Sequence, residues 1–125
     1  MIKVLIVEDE FTIRSSLMHH FEDYDYEACG VESAEEGLKI LESKEIDAVI
    51  VDLRLPGKSG DQFILEAYDI TRNTVFLVHS GSTDYKMPDI LKKLPRVSKT
   101  VFRKPLSELT ILNDEISKMM SSNTE

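Results

Sequence analysis

Short apolar runs alternate with amphipathic segments along this chain, and that alternation restricts its possible folds more than any other feature. Three of the runs, 2–7, 48–51 and 74–78, consist mainly of Val, Ile, Leu and Phe. Such runs are typical of strands that are covered on both faces, as in parallel sheets. Two weaker runs, 26–31 and 100–102, predict two further strands.

Amphipathic helices are predicted between the runs. Helix starts are indicated by four polar residues that precede apolar positions at helical spacing: Thr12, Ser33, Ser59 and Ser107. Ser33 is followed three positions later by Glu36, which is the spacing of a capping box. For residues 84–94 we predict a short or irregular helix, because Pro88 can occupy a first helical turn and Pro95 ends any helix before it.

Five strand–helix units of this kind predict an α/β fold in which helices cover both faces of a five-stranded parallel sheet. The flavodoxin-like strand order 2-1-3-4-5 is the candidate order for five such units. The 125 residues match the size of one domain. We therefore predict a single domain over residues 1–120 and a frayed C-terminal tail over residues 121–125.

The chain is acidic, with 15 Lys and Arg against 23 Asp and Glu and a formal net charge of -8. This balance argues against direct binding to nucleic acid or to anionic membranes, both of which attract basic surfaces. The single cysteine, Cys29, cannot form an intrachain disulfide, and no segment has the pattern of a signal peptide or a membrane span. A cytoplasmic location is therefore expected.

Polar side chains stand where four of the predicted strands end. They are Glu8 and Asp9 after the first strand, Asp52 after the third, Ser80 after the fourth and Lys104 after the fifth. Open α/β sheets bind ligands at the edge formed by the carboxyl ends of their strands. We therefore interpret the convergence of these five groups as a functional site and not as packing.

The residue types at this edge predict phosphoryl chemistry. The carboxylates of Glu8, Asp9 and Asp52 repel one another, and a divalent cation would relieve that repulsion. Oxygen ligands without Cys or His favour Mg²⁺ or Mn²⁺. A carboxylate can attack a phosphoryl group to form an acyl phosphate. Lys104 would then supply a positive charge and Ser80 a hydroxyl donor for the phosphoryl oxygens.

Four short motifs resemble those of response-regulator receiver domains, the CheY-like family of two-component signalling. The motifs are Ile6-Val7-Glu8-Asp9-Glu10 for the acidic pair, Asp52-Leu53-Arg54-Leu55-Pro56-Gly57-Lys58-Ser59-Gly60 for the phosphoacceptor loop, His79-Ser80-Gly81, and Arg103-Lys104-Pro105. Each motif alone is weak, whereas four in register on five strand–helix units are specific. The resemblance covers essentially the whole chain.

The resemblance implies roles for the acidic residues. Asp52 would accept a phosphoryl group from the phosphohistidine of a histidine kinase or phosphotransfer protein. Asp9, Asp52 and the backbone carbonyl of Arg54 would bind Mg²⁺, and Glu8 would act through a metal-bound water.

It also implies that Ser80 and Lys104 would contact the phosphoryl oxygens after transfer, and that the Lys104–Pro105 bond would be cis. Such a domain catalyses only its own phosphorylation and dephosphorylation. It signals to a downstream protein or a fused output domain, in some cases as a phosphorylation-dependent dimer through helix 4, strand 5 and helix 5. The chain would be a stand-alone receiver or a part of a longer protein.

Two departures from the family pattern concern signal output. Many receivers carry an aromatic residue three positions before the Lys, where this chain has Val101. Phe102, one position later, is expected to point to the opposite face of the strand. Residues 92–97, Lys-Lys-Leu-Pro-Arg-Val, stand where many receivers have an Ala/Gly-rich end to the fourth helix.

Two alternative functions remain open. The first is a receiver-like interaction module that works without phosphate, which the departures at Val101 and the fourth helix permit. The second is an aspartyl phosphatase of the haloacid-dehalogenase type, which is less favoured because it requires a second Asp where this chain has Arg54.

Other residues are given simpler interpretations. Cys29 is interpreted as a small apolar filler. Lys92, Lys93, Arg96 and Lys99 are interpreted as a basic surface patch, either solvated or partner-binding. Phenylalanine side chains are assigned to the core at three positions: Phe11, Phe63 and Phe76.

Overall fold

The computed structural model describes residues 1–123, in which five strands alternate with five helices as the sequence predicted. The strands are β1 (Lys3–Val7), β2 (Glu27–Val31), β3 (Ala48–Val51), β4 (Val75–Ser80) and β5 (Val97–Arg103). The helices are α1 (Phe11–Asp23), α2 (Ala34–Ser43), α3 (Gly60–Ile70), α4 (Asp89–Lys92) and α5 (Thr110–Asn123). Across the same residues, no helix combines the length and apolar character that a membrane crossing requires.

The five strands are parallel and lie in the order β2-β1-β3-β4-β5, which confirms the predicted topology. Successive side chains of a strand point to opposite faces of the sheet, so each strand contributes to two cores. Leu5 and Val7 of β1 pack in a core with α2, α3 and α4. Val4 and Ile6 pack on the other face with α1 and α5.

Local signals explain several of the helix ends. The Ser33 hydroxyl accepts a hydrogen bond from the Glu36 amide at 3.2 Å. Ser59 and Gln62 form a reciprocal capping box at the start of α3. Helix α4 is only four residues long and lies between Pro88 and a turn that contains Pro95, which confirms the predicted short helix.

Three expectations about the ends of elements need correction. Helix α1 begins at Phe11, whose side chain is 71% exposed, so its assignment to the core is wrong. Strand β5 extends over seven residues, where only 100–102 had been predicted. Helix α5 continues to Asn123, so the described part of the 121–125 segment is helical, and residues 124–125 lie outside the described residues.

Strand β5 forms one edge of the sheet and pairs irregularly with its neighbour. Phe76 of β4 faces Val97, and Val78 faces Val101, so β5 advances four residues where β4 advances two. The extra residues include Lys99 and Thr100, which are both exposed. This irregularity is a β-bulge that interrupts the pairing of the edge strand.

Arg96, which immediately precedes β5, is buried and does not belong to a surface patch as the sequence suggested. Its guanidinium donates hydrogen bonds to the carbonyl oxygens of Tyr68 at 2.9 Å, Thr71 at 3.1 Å and Thr74 at 2.8 Å, and to the Thr71 hydroxyl at 3.0 Å. It also lies over the Tyr68 ring, 3.7 Å from the ring centroid. Arg96 therefore ties the end of α3 to the amino ends of β4 and β5.

Candidate functional site

The carboxyl ends of four strands bring together all five residues that the sequence predicted for the site. Glu8, Asp9 and Asp52 each place a carboxylate oxygen within 4.8 Å of the others. The ammonium of Lys104 lies 2.7 Å from Glu8 Oε1 and 3.4 Å from Asp52 Oδ2. Ser80 is the last residue of β4, and its backbone carbonyl accepts a hydrogen bond from the Lys104 amide at 2.8 Å.

The acidic cluster has a buried side and an open side. Glu8 and Asp52 are buried, with 2% and 6% of their surface exposed, whereas Asp9 is exposed. Burial is the largest cause that raises the pKa of Glu8, to about 7. The hydrogen bond from Lys104 opposes this rise, and the negative charge of Asp52 adds to it.

Lys104 remains a cation in this setting. Burial lowers the pKa of its ammonium, but the hydrogen bond and charge of Glu8, followed by the charge of Asp52, outweigh burial and raise the pKa overall. One ammonium cannot neutralise three carboxylates. The excess of negative charge on oxygen donors is an environment that suits a hard divalent cation.

The acidic loop, Glu8 and Asp9 after β1, is held by hydrogen bonds from Arg14, a residue that was not predicted from the sequence. Its guanidinium donates to the carbonyl oxygens of Glu8 at 2.8 Å and Asp9 at 3.4 Å. A Cβ at Gly30 of β2 would lie 2.9 Å from Arg14 Cγ, so the glycine leaves room for this side chain. An arginine in the first turn of α1 was the only sequence signal for this contact.

The loop that follows Asp52 lies against the start of α3. A Cβ at Gly60 would lie 2.5 Å from the carbonyl oxygen of Asp52, a distance that only glycine avoids. Gly57 has φ of +79°, a backbone conformation that residues with a Cβ rarely adopt. The Arg54 amide donates to Asp52 Oδ1 at 3.4 Å, while the Arg54 side chain is exposed. The loop thereby orients Asp52 through its backbone.

The loop after β4 is connected to the site by contacts that the sequence did not predict. The Ser80 hydroxyl accepts a hydrogen bond from the Ser82 amide at 3.0 Å. Arg103 donates to the carbonyl oxygens of Ser82 and Tyr85. The Tyr85 hydroxyl donates to Asp61 of α3 at 2.8 Å, and burial, with this bond in support, raises the pKa of Tyr85.

Two expectations about β5 and the residues that follow it are confirmed. Val101 packs against the core that α2, α3 and α4 share, whereas Phe102 is buried in the core on the α1 and α5 side. The Lys104–Pro105 peptide bond is cis. The position that many receivers fill with an aromatic side chain is therefore occupied here by an aliphatic one.

Residues 4–113 match the family described as the response regulator receiver domain. This chain belongs to that family. Receiver domains of response regulators serve phosphorylation-type signalling in two-component systems, so the chain is a signalling domain of that kind.

Two curated relatives illustrate the range of the family. A stretch of 107 residues is 32% identical to protein-glutamate methylesterase/protein-glutamine glutaminase 2 of Paramagnetospirillum magneticum, covering 84% of this chain and 30% of that protein. Sporulation initiation phosphotransferase F of Bacillus subtilis is 25% identical over 118 residues, covering 94% of this chain and 93% of that protein. The chain thus spans less than a third of the first relative and nearly all of the second.

Two solved structures share the fold. A CheY-like receiver domain protein from Methanospirillum hungatei has a TM-score of 0.85 at 20% identity, covering 99% of this chain and 97% of that chain. The response regulator TrrA from Thermotoga maritima, solved in complex with Mg(2+)-BeF, has a TM-score of 0.79 at 25% identity, covering 95% and 99%. Both similarities cover at least 95% of this chain.

Proposed function

We propose that this domain accepts a phosphoryl group on Asp52 from the phosphohistidine of a histidine kinase or phosphotransfer protein, in a Mg²⁺-dependent reaction. The convergence of the three carboxylates with Lys104 at the carboxyl edge of the sheet is the observation that carries the proposal. Membership of the receiver family supports it. The domain would catalyse only its own phosphorylation and dephosphorylation.

The donor set fits Mg²⁺, with Mn²⁺ as the alternative ion. The cluster offers oxygen ligands only, and its exposed member, Asp9, leaves room for the waters that Mg²⁺ retains. Asp9, Asp52 and the backbone carbonyl of Arg54 would hold the ion, and Glu8 would contact one of its waters. When bound, the ion supplies positive charge that offsets the carboxylates and the phosphoryl oxygens.

Asp52, Lys104 and Ser80 have different roles in the transfer of the phosphoryl group. An Asp52 carboxylate oxygen forms a bond to phosphorus while the P–N bond of the donor breaks, and the electron pair of that bond stays on the donor imidazole. Lys104 holds a positive charge beside Asp52 and Ser80 offers a hydroxyl, so both stabilise the phosphoryl oxygens. Hydrolysis of the acyl phosphate by water restores the carboxylate and ends the signal.

The proposal is tested by incubating the protein with acetyl phosphate and Mg²⁺ and following its intact mass. The wild type should gain one phosphoryl group, and Asp52→Asn should gain none. Asp69→Asn, at an exposed position of α3, is the matched control and should behave as wild type. A folded wild-type protein that gains no phosphoryl group would refute the proposal, and a labelled Asp52→Asn would refute the choice of residue.

For partners, we propose the donor kinase or phosphotransfer protein and a downstream protein or fused output domain. A phosphorylation-dependent dimer through α4, β5 and α5 is a further proposal for the output face. The acidic charge of the chain supports a role without direct contact to nucleic acid or membrane. We further propose that the protein acts in the cytoplasm.

A second candidate function is a protein-interaction module that does not depend on phosphate. Val101 favours it, because this aliphatic side chain cannot act as the aromatic reporter of many receivers. The two candidates differ in one measurable property. Affinity for an isolated partner should change on addition of beryllofluoride and Mg²⁺ in the first case, and should stay constant in the second.

A further inference from the structure

His79 is a buried polar residue that the phosphorylation chemistry does not use. It lies on β4 directly before Ser80, with only 4% of its surface exposed. Neither ring nitrogen has a hydrogen-bond partner among the described residues. Buried polar groups are almost always paired in proteins, so an imidazole with two unpaired nitrogens points to an additional partner.

The imidazole is neutral at physiological pH. Burial is the main cause that lowers the pKa of His79 to about 4, and the positive charge of Lys104 lowers it further. A neutral imidazole offers one N–H donor and one nitrogen acceptor. A hydroxyl can serve either ring nitrogen, because it both donates and accepts hydrogen bonds.

His79 lines a cavity of about 290 Å³ between α1 and the segment that joins β5 to α5. This volume is close to the lower end of ligand pockets, which is roughly 300 Å³. Most of the other lining residues are apolar, and two carry hydroxyls: Ile13, Leu17, Pro105, Leu106 and Leu109, with Thr12 and Ser16 of α1. Such walls favour an apolar ligand body, since desolvating a charged ligand there would be costly.

Lys104 also lines the cavity, but its charge is engaged elsewhere. Its ammonium contacts Glu8 and Asp52 at the phosphorylation site, which leaves its hydrocarbon stem as the part available to an apolar ligand. The cavity therefore presents three uncharged polar side chains on otherwise apolar walls. Thr12 and Ser16 are exposed to water, whereas His79 is buried with both ring nitrogens unpaired, so His79 is the polar group that a ligand would satisfy.

We propose that this cavity binds a small neutral molecule that combines an apolar ring or branched chain with a single hydroxyl group hydrogen-bonded to His79. The site is separate from the acidic cluster, and its occupation does not require phosphate or Mg²⁺. The proposal goes beyond the phosphorylation function and can be tested independently of it.

The test compares two probes that differ by one hydroxyl, p-cresol and toluene, in titrations of the ¹⁵N-labelled wild-type protein. Both probes should shift amide signals of the lining residues at millimolar concentration. The hydrogen bond should make p-cresol bind about tenfold more tightly, in line with the worth of one hydrogen bond. The ring nitrogen signals of His79 should move with p-cresol only.

His79→Leu should remove the preference for p-cresol, because leucine keeps the burial and loses the hydrogen bond. His19→Leu, on the exposed face of α1, is the matched control and should retain the preference. The proposal is overturned if neither probe shifts the lining residues, if wild type binds both probes equally, or if shifts centre on the acidic cluster. Should His79→Leu fail to fold, the His79 ring signals in wild type decide alone.

Discussion

Two cations flank strand β5, the buried Arg96 and the partly buried Lys104, and they are held in opposite ways. Arg96, at the amino end, is surrounded by neutral oxygens from Tyr68, Thr71 and Thr74 and by an aromatic ring. Lys104, at the carboxyl end, faces the carboxylates of Glu8 and Asp52. The first environment supplies hydrogen-bond acceptors and an aromatic face to the guanidinium. The second contains more negative charge than the ammonium can balance.

The difference separates a structural role from a chemical one. A guanidinium is weakly hydrated and forms several hydrogen bonds in one plane, so neutral carbonyls and a stacked ring can replace its water. The cluster around Lys104 instead contains carboxylates that repel one another. A surplus of negative charge of this kind is relieved by binding a cation, and binding a cation beside a carboxylate is the property that the proposed phosphoryl transfer requires.

The largest loss of stability is expected for substitution of Arg96, at the amino end of β5. Arg96→Met should destabilise the protein by about 4 kcal/mol, because it removes this donor from one buried and two partly buried carbonyl oxygens, those of Thr74, Tyr68 and Thr71. Equilibrium unfolding in urea measures this loss. Arg72→Met, at an exposed position of the adjacent loop, is the control and should change stability by less than about 0.5 kcal/mol. Equal effects of the two substitutions would mean that Arg96 does not clamp the fold.

At the carboxyl end of β5, the contribution of the site to the free energy of unfolding should depend on pH. The pKa of Glu8 rises from 4.5 to about 7 on folding, so the folded state holds a proton there that the unfolded state has lost. The contribution of Glu8 to stability is therefore fully present below pH 4.5 and is lost as pH rises towards 7. The loss should be about 3 kcal/mol without divalent ions.

The measurement for Glu8 is the difference in unfolding free energy between wild type and Glu8→Gln across that range. His79 acts in the opposite direction, because its lowered pKa makes folding less favourable as pH falls from 6.5 towards 4. The comparison with Glu8→Gln cancels the contribution of His79, which both proteins share. A difference that stays constant with pH would show that Glu8 titrates normally in the folded protein.

Magnesium should stabilise the carboxyl end when the carboxylates are ionised. At ten times its dissociation constant and above pH 7, the ion should raise the unfolding free energy of wild type by about 1.4 kcal/mol. Asp52→Asn should lose most of this gain, whereas Arg72→Met should keep it. Thermal unfolding with and without Mg²⁺ measures the effect, and an equal gain in Asp52→Asn would place the ion elsewhere.

The smallest loss of stability is expected for removal of the Lys104 ammonium. Lys104→Met should cost only about 1 kcal/mol, because a proton on Glu8 can replace the ammonium and methionine keeps the apolar contacts of the stem. Lys99→Met, at an exposed position of β5, is the control. A loss as large as that of Arg96→Met would abolish the distinction between the two ends.

Much of the fold and the composition of the site could be predicted from the sequence. Strands that are buried on both faces leave continuous apolar runs, and their carboxyl ends meet at one edge, so Asp52 and Lys104 could be placed together. Arg96 could not be placed, because its acceptors are mainly backbone carbonyls, which every residue carries alike. Its neighbours Lys92 and Lys93 also made a solvated patch the simpler interpretation.

Other contacts depended on turn geometry, which side-chain patterns do not reveal. Phe11 looked like a core residue, but helix α1 starts there and its first turn projects that ring outward. Arg14 reaches the carbonyl oxygens of the acidic loop only because Gly30 on the neighbouring strand leaves space. The roles assigned to the individual site residues remain predictions that the phosphorylation experiments test.

The bulge in β5 has a consequence for the behaviour of the protein at high concentration. An uninterrupted edge strand offers a row of backbone groups on which a second chain can add in register. In β5 the irregular pairing with β4 between Val97 and Val101 bends and twists the strand, so that its outer edge is not straight, and exposed Lys99 adds a positive charge there. Self-association along this edge through continued strand pairing is thereby disfavoured, so concentrated solutions should resist fibril growth from β5.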